Sequence, residues 1–287
     1  MATKEHSDDI LFILEDCTLC KFIELICKFF VLPPNILKFK TPPKQILKLS
    51  PTGTFPILKS GDDFISGTLP ILNYIIKTAK VDEDDFMPDI KIILLGKNLK
   101  EEAKVEMQLS YIQNSVLPII TEIESQLYGK KQFNEGIFNE AINDLIDVLK
   151  TFNEQLRFNT FLTSNFIQLG DLMLTSVLFK CYNDIFTKDI IEKIPNIIRM
   201  FKFVSHLDYF EELFGTAKQC EKRMTPLPYV PKTEKKEEEK KEEKKEEQKE
   251  EKKDGNNMEK NEEKQGKKKK KKGQKEEKNE EQKEEKK

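Results

Sequence analysis

From Thr233 to Lys287 the chain offers a single apolar side chain, Met258, among lysines, glutamates, glutamines, asparagines and glycines. Ordering a residue costs roughly 1–2 kcal/mol of conformational entropy, and such a segment has almost no apolar surface to offset it. It reads as a disordered Lys/Glu-rich tail, set at residues 232–287, and any fold must come from residues 1 to about 225. That length still suffices for a sizeable core.

The charges nearly cancel on both sides of this boundary. There are 22 lysines against 20 acids from Thr233 onward, and 27 basic against 31 acidic residues before it. No domain-wide basic field recommends nucleic acid as the main ligand. The local exception is the run of six lysines from Lys267 to Lys272, a candidate weak RNA or ribosome contact that equally suits a solvated spacer. Five cysteines, Cys17, Cys20, Cys27, Cys181 and Cys220, make an odd number without the spacing of a secreted framework. The opening residues MATKEHSDD are charged where a secretion signal is apolar, and the longest apolar run, around Phe29 to Leu37, is too short for a bilayer and broken by Pro33 and Pro34. The expectation is a reduced, cytoplasmic protein with no membrane partner.

Within the foldable part the hydrophobic pattern changes once. Ile10 to Leu14 is a continuous apolar run of strand length, suited to a strand covered on both faces. Thr18 to Phe30 then repeats apolar residues at helical spacing, Phe22, Ile23, Ile26, Cys27 and Phe30, up to the Pro33-Pro34 stop. Ile36 to Lys40 is a second strand. After a Pro-rich loop, Phe55–Leu58 and Phe64–Ile65 are two short strands joined by a Gly-Asp turn, and Ser66 is placed to cap a helix that runs to about Thr78. Everything later is helical: Leu99 to about Tyr128 with a disturbance at Pro118, Asn134 to about Arg157, and helices starting near Leu169, Pro195 and Asp208. A small βαβ–ββα layer followed by an all-helical bundle is the implied architecture.

This order, with Phe55-Pro56 at the head of the third strand and Ser66 before the third helix, resembles the glutathione transferase fold. The implied domains are a thioredoxin-like one at 8–80, a linker at 81–92 and an all-helical transferase C-terminal-like one at 93–225. The resemblance implies a cis peptide before Pro56, with the Phe55 backbone facing a thiol peptide and Ser66 receiving its γ-glutamyl carboxylate. It also identifies NFIQLGDLML, Asn165 to Leu174, as the family's helix-start signature, with Gln168 and Asp171 as the capping box and Ile167 and Leu172 as the hydrophobic staple.

A narrower resemblance covers the last folded third. FLTSNFIQLGDL, then IPNIIRMFKFVSHLDYFEELFGTAKQCEKRM, closing with the Gly215 to Lys222 run before a lysine-rich segment, is similar to the gamma subunit family of translation elongation factor 1. Members of that family usually continue past such a segment into a second globular domain, whereas this sequence ends at Lys287 within it. The resemblance implies a non-catalytic scaffold that binds the exchange-factor subunit of elongation factor 1 and, through it, elongation factor 1-alpha and the ribosome. A homodimer through the transferase-like domain is a further implied partnership. An adaptor associated with aminoacyl-tRNA synthetases is an alternative, since such proteins also join this domain to lysine-rich segments.

The chemistry is read separately. In active transferases the residue before the conserved serine is usually acidic and holds the glutamyl ammonium; here it is Ile65, so the glutathione-like site of Phe55, Pro56 and Ser66 reads as degenerate and no cofactor is expected. Against this stands Cys17-Thr18-Leu19-Cys20, at the turn from first strand to first helix, where a helix N-terminus lowers a thiol's pKa. Cys17 is the candidate nucleophile for a glutathione transferase or thiol oxidoreductase, with Glu15 and Asp16 opposing its thiolate. No tyrosine lies in the first strand, so Thr18 would be the only nearby hydroxyl. His6 and His206 are isolated, which leaves neither a metal set nor a nucleophile–base pair, and no phosphate loop is present.

Overall fold

Strand β1 (Ile10–Leu14) occupies an inner position in a four-stranded sheet, paired in parallel with β2 (Asn35–Phe39) and antiparallel with β3 (Ile57–Ser60), which pairs antiparallel with β4 (Asp63–Ser66). In this computed structural model the residues described are 9–30, 34–78 and 90–229, and side chains of 90–92 are left aside. Residues 81–89 of the expected linker, the tail with Lys267–Lys272, His6 and Pro33 lie outside them. The described residues belong to one compact unit that ends at Tyr229.

The middle of β1 is buried throughout, with Leu11, Phe12 and Ile13 all in the core, as expected for a strand covered on two sides. Helix α1 (Thr18–Cys27) covers one face with Phe22, Ile23, Ile26 and Cys27. It stops short of Phe30 because the last turn tightens: the amides of Phe29 and Phe30 donate to Ile26 and Cys27, three residues back. The Pro-rich loop contains a short helix, α2 (Lys44–Leu49), that sequence periodicity did not reveal. It is only six residues long and none of them is buried, too short a stretch for a helical period to show.

The β3–β4 turn is tighter than expected. Ser60 pairs with Asp63, leaving Gly61 and Asp62 as the connection, and Gly61 takes the positive φ of 58° that the reversal requires. Ser66 is not the cap of α3 (Thr68–Thr78), contrary to the sequence reading. Pairing with Ile57 keeps it in β4, and Gly67 turns the chain with its carbonyl accepting from Ile71 at 3.3 Å.

The helical layer comprises α4 (Ile90–Leu95), α5 (Leu99–Tyr111), α6 (Leu117–Leu127), α7 (Glu135–Phe158), α8 (Leu169–Asp184), α9 (Lys188–Ile191), α10 (Pro195–Ser205) and α11 (Asp208–Phe214). A π-helical turn, Ile112–Val116, joins α5 to α6 just before Pro118, whose missing N–H leaves one place in the α-ladder that no donor can fill. Asn98 and Asn134 cap α5 and α7 through their side-chain oxygens. Helix α8 is buried along most of its length and touches α1, so the two layers share one core rather than two.

After Gly215 the chain runs without regular structure across the ends of α8 and α6. The amides of Cys220, Met224 and Leu227 donate to the carbonyls of Tyr182, Asp184 and Leu127 at 3.3, 2.8 and 2.8 Å. Gly129 lets this strap lie close: its φ is +65°, and a Cβ there would stand 2.4 Å from the Pro228 carbonyl oxygen. Gly129→Ala is expected to lose about 2–4 kcal/mol, combining left-handed backbone strain with displacement of the strap. Denaturant unfolding would measure it; a loss under about 0.5 kcal/mol would mean the strap gives way freely.

Candidate functional site

Two groups of sequence-designated residues meet at the same end of the sheet. Phe55-Pro56 leads into β3 with a cis peptide, as the resemblance implied. The Phe55 ring lies edge-on to Phe39 at the end of β2, 6.4 Å between centroids. The Phe55 N–H and C=O make no hydrogen bond to the described residues, so the backbone edge is available to a ligand. The Pro56 carbonyl accepts from the Gly67 amide at 3.4 Å, which holds Ser66 close to this edge.

Ser66 belongs to a cluster of hydroxyl side chains. Its hydroxyl accepts from Thr52 Oγ1 at 3.0 Å, within a chain of hydroxyls that includes Thr54 and Ser50. The preceding Ile65 is paired with Leu58 and packs against the core, so position 65 carries no hydrogen-bonding side chain. Losing a hydrogen bond to a charged group costs on the order of 1.5–3 kcal/mol, about ten- to a hundredfold in affinity. The cis Phe55-Pro56 step and Ser66 thus lie together at one end of the sheet, with an apolar side chain at position 65.

Cys17 precedes α1 in the N-cap position and is partly exposed, while Cys20, one turn on, is fully buried. Cys17 lines a cleft of about 380 Å³ between the two layers, together with Thr18, Lys40, Leu117, Glu124 and Lys180. The Cys20 thiol facing its sulfur, then the amides of Cys20 and Leu19 and the Lys180 ammonium, lower the Cys17 pKa to about 6 against the opposing effect of burial. Glu15 and Asp16, expected to oppose the thiolate, do not prevent this. The same interaction and burial push Cys20 far upward, so it stays a thiol. Across the cleft Lys180 lies 3.9 Å from Glu124, whose pKa burial raises while Lys180 and Lys130 hold it down.

The helix-start signature is present and incomplete. Asp171, fully buried, accepts from the amides of Leu162 and Gln168, both at 2.9 Å. The Gln168 side chain occupies the cap position over the first turn, but its Oε1 is buried without a hydrogen-bond partner, because the Asp171 amide goes to the Gln168 backbone carbonyl at 3.0 Å. Leu172 is buried and Ile167 packs against the core from the other side of the cap, as a staple requires. Cys27, Cys181 and Cys220 are buried, and among the described residues no group of acids, cysteines and histidines is arranged to hold a metal.

Sequence reading missed Lys40, Glu124, Lys130 and Lys180 as cleft residues. Lys40 follows β2, Glu124 lies on α6, Lys130 follows α6 and Lys180 lies on α8, and only the tertiary packing gathers them around the start of α1. No helix among the described residues is long and apolar enough to cross a membrane.

No family model matches the chain. Among curated proteins it is 27% identical to elongation factor 1-gamma of Prunus avium over 196 residues, 68% of this chain and 43% of that protein. It is 25% identical to glutathione S-transferase F10 of Arabidopsis thaliana over 142 residues, 48% of this chain and 62% of the relative. The chain thus spans less than half of the elongation factor it matches. The transferase-like domain of elongation factor 1-gamma from Saccharomyces cerevisiae superposes with a TM-score of 0.65 at 19% identity, covering 77% of this chain and 99% of that domain. Two layers joined through α1 and α8, a cis Phe55-Pro56 and a buried helix-start aspartate are therefore those of a glutathione transferase-like fold, in a chain whose sequence resembles elongation factor 1-gamma.

Proposed function

We propose that this chain is a gamma-type subunit of translation elongation factor 1, a scaffold that docks the exchange-factor subunit through its transferase-like body and works in the cytoplasm. The observation that carries this reading is the match to elongation factor 1-gamma, which extends over 196 residues and so is longer than either layer alone. The glutathione side supports it: the Ile65 side chain offers no acceptor for a peptide ammonium. In this role the protein takes no cofactor and binds no nucleotide, and elongation factor 1-alpha and the ribosome are reached through the partner.

The test is calorimetry of the purified chain with the exchange-factor subunit of elongation factor 1 from the same cells. A stoichiometric complex of about micromolar affinity or tighter, unchanged in Cys17→Ser, is expected. Absence of a complex, together with turnover of an electrophile by glutathione that Cys17→Ser abolishes, would replace the scaffold by a transferase. The Cys17 pKa of about 6 is the observation that favours this second reading.

A further inference from the structure

A docking role leaves one feature unused: two thiols on successive turns of a helix start, one open to a cleft and the other sealed behind it. We propose that Cys17 and Cys20 form a two-electron thiol–disulfide site that accepts small, negatively charged disulfides from the cleft between the layers. It rests on the geometry of the cleft and holds whether or not an exchange-factor subunit docks elsewhere.

Access selects the attacking sulfur. Cys17 is partly exposed and lines the cleft, whereas Cys20 is 0% exposed, Cys27 and Cys181 1% and Cys220 5%. Positions three apart lie on one helix face, so the Cys20 thiol stands behind Cys17 rather than across the helix. The volume of about 380 Å³ is in the range that holds a compact organic molecule. Charge selects the ligand. Three lysines, Lys40, Lys130 and Lys180, line the cleft against two carboxylates, Asp16 and Glu124, which leaves the wall net positive. A carboxylate-bearing disulfide meets cations in the cleft and a thiolate at its floor.

The steps balance without a further reactant. The Cys17 thiolate attacks one sulfur of the disulfide; the Cys17–sulfur bond forms, the ligand's sulfur–sulfur bond breaks, and the other half leaves as a thiolate. Cys20 then attacks Cys17, its proton passing to the second departing thiolate, and a Cys17–Cys20 disulfide remains. The chain has lost two electrons and two protons, and the ligand has become two thiols.

Dithiobis-nitrobenzoate, an anionic aromatic disulfide whose released thiolate is coloured, serves as the probe on the full chain. Wild type is expected to release two thiolates per chain in the fast phase and to end lighter by two hydrogens, with peptide mapping placing the bond between Cys17 and Cys20. Cys20→Ser should stop at one thiolate and a lasting adduct on Cys17, and Cys17→Ser should lose the fast phase. The fast rate should rise with pH around a midpoint near 6. Lys180→Met should slow it about threefold or more, the difference shrinking as salt is added. A fast phase that survives Cys17→Ser, or a wild-type product that keeps the adduct with no internal bond, overturns the proposal. Mapping the wild-type product decides the matter even where Cys20→Ser does not fold.

Discussion

Asp171→Ala is expected to destabilise the protein by about 2–5 kcal/mol, because it strips the acceptor from two amides at once. The carboxylate holds the Leu162 and Gln168 N–H groups at 2.9 Å, and neither finds water when it is gone, since the site is buried. The loss should vary with pH in a defined direction. Burial, opposed by those two amides, raises Asp171 from 3.8 to about 6. The folded state thus keeps a proton that the unfolded chain releases, so the contribution of Asp171 is fully present below about pH 4 and shrinks as pH rises through 6. The wild type's advantage over Asp171→Ala should be wider at pH 4 than at pH 7.5, by up to about 3 kcal/mol. Urea unfolding of both proteins at the two pH values measures it. An advantage that grows with pH would mean that hydrogen bonding to the carboxylate outweighs its desolvation.

Phe210→Ala should cost about 3–5 kcal/mol, whereas Glu212→Ala, two residues on, should cost under about 1 kcal/mol. Both side chains belong to α11, which lies against α1 and fastens the helical layer to the sheet layer. Phe210 is fully buried, its ring stacked on Phe214 at 4.4 Å and tilted against Phe179 at 5.9 Å, so truncation opens a cavity and removes ring contacts together. Glu212 meets Lys28 at 2.8 Å, but the carboxylate side chain is 60% exposed and water replaces the pair at little cost. Burial of the Phe210 ring against α8 and α11 therefore outweighs the exposed Lys28–Glu212 pair in stability. Equal losses from the two variants in denaturant titrations would contradict this.

The elements legible in the sequence were those whose burial writes a pattern. β1 showed as an apolar run because both its faces are covered, and α7 showed through Ile137, Ala141, Leu145, Val148 and Phe152, of which Ala141, Leu145 and Phe152 are buried while Ile137 lies at the exposed edge of the stripe. Helix α2 buries nothing and α9 only Ile190, so neither left a period to find. The helix-start box was legible because its partners are three residues apart, within reach of local spacing. Ser66 was misplaced as a cap because strand pairing with Ile57, a tertiary choice, outweighed its preference for helix ends.

The candidate site divides the same way. Cys17 and Cys20 stood out in the sequence because their separation of three matches a helix turn, and Ile65 stood out against the family pattern. The lysines that make the cleft positive did not, since Lys40, Lys130 and Lys180 are spread over 140 positions of an ordinary charged surface.

By itself the sequence determined the two-layer order, the helix-start aspartate and the pair of thiols, because each depends on interactions between residues a few places apart or on a hydrophobic period. Only the tertiary structure decided that Cys17 opens on a cleft while Cys20 is closed off, and that Lys180 faces the sulfur. Those facts depend on how α8 packs over α1, which is set by the whole shared core rather than by any local run of residues.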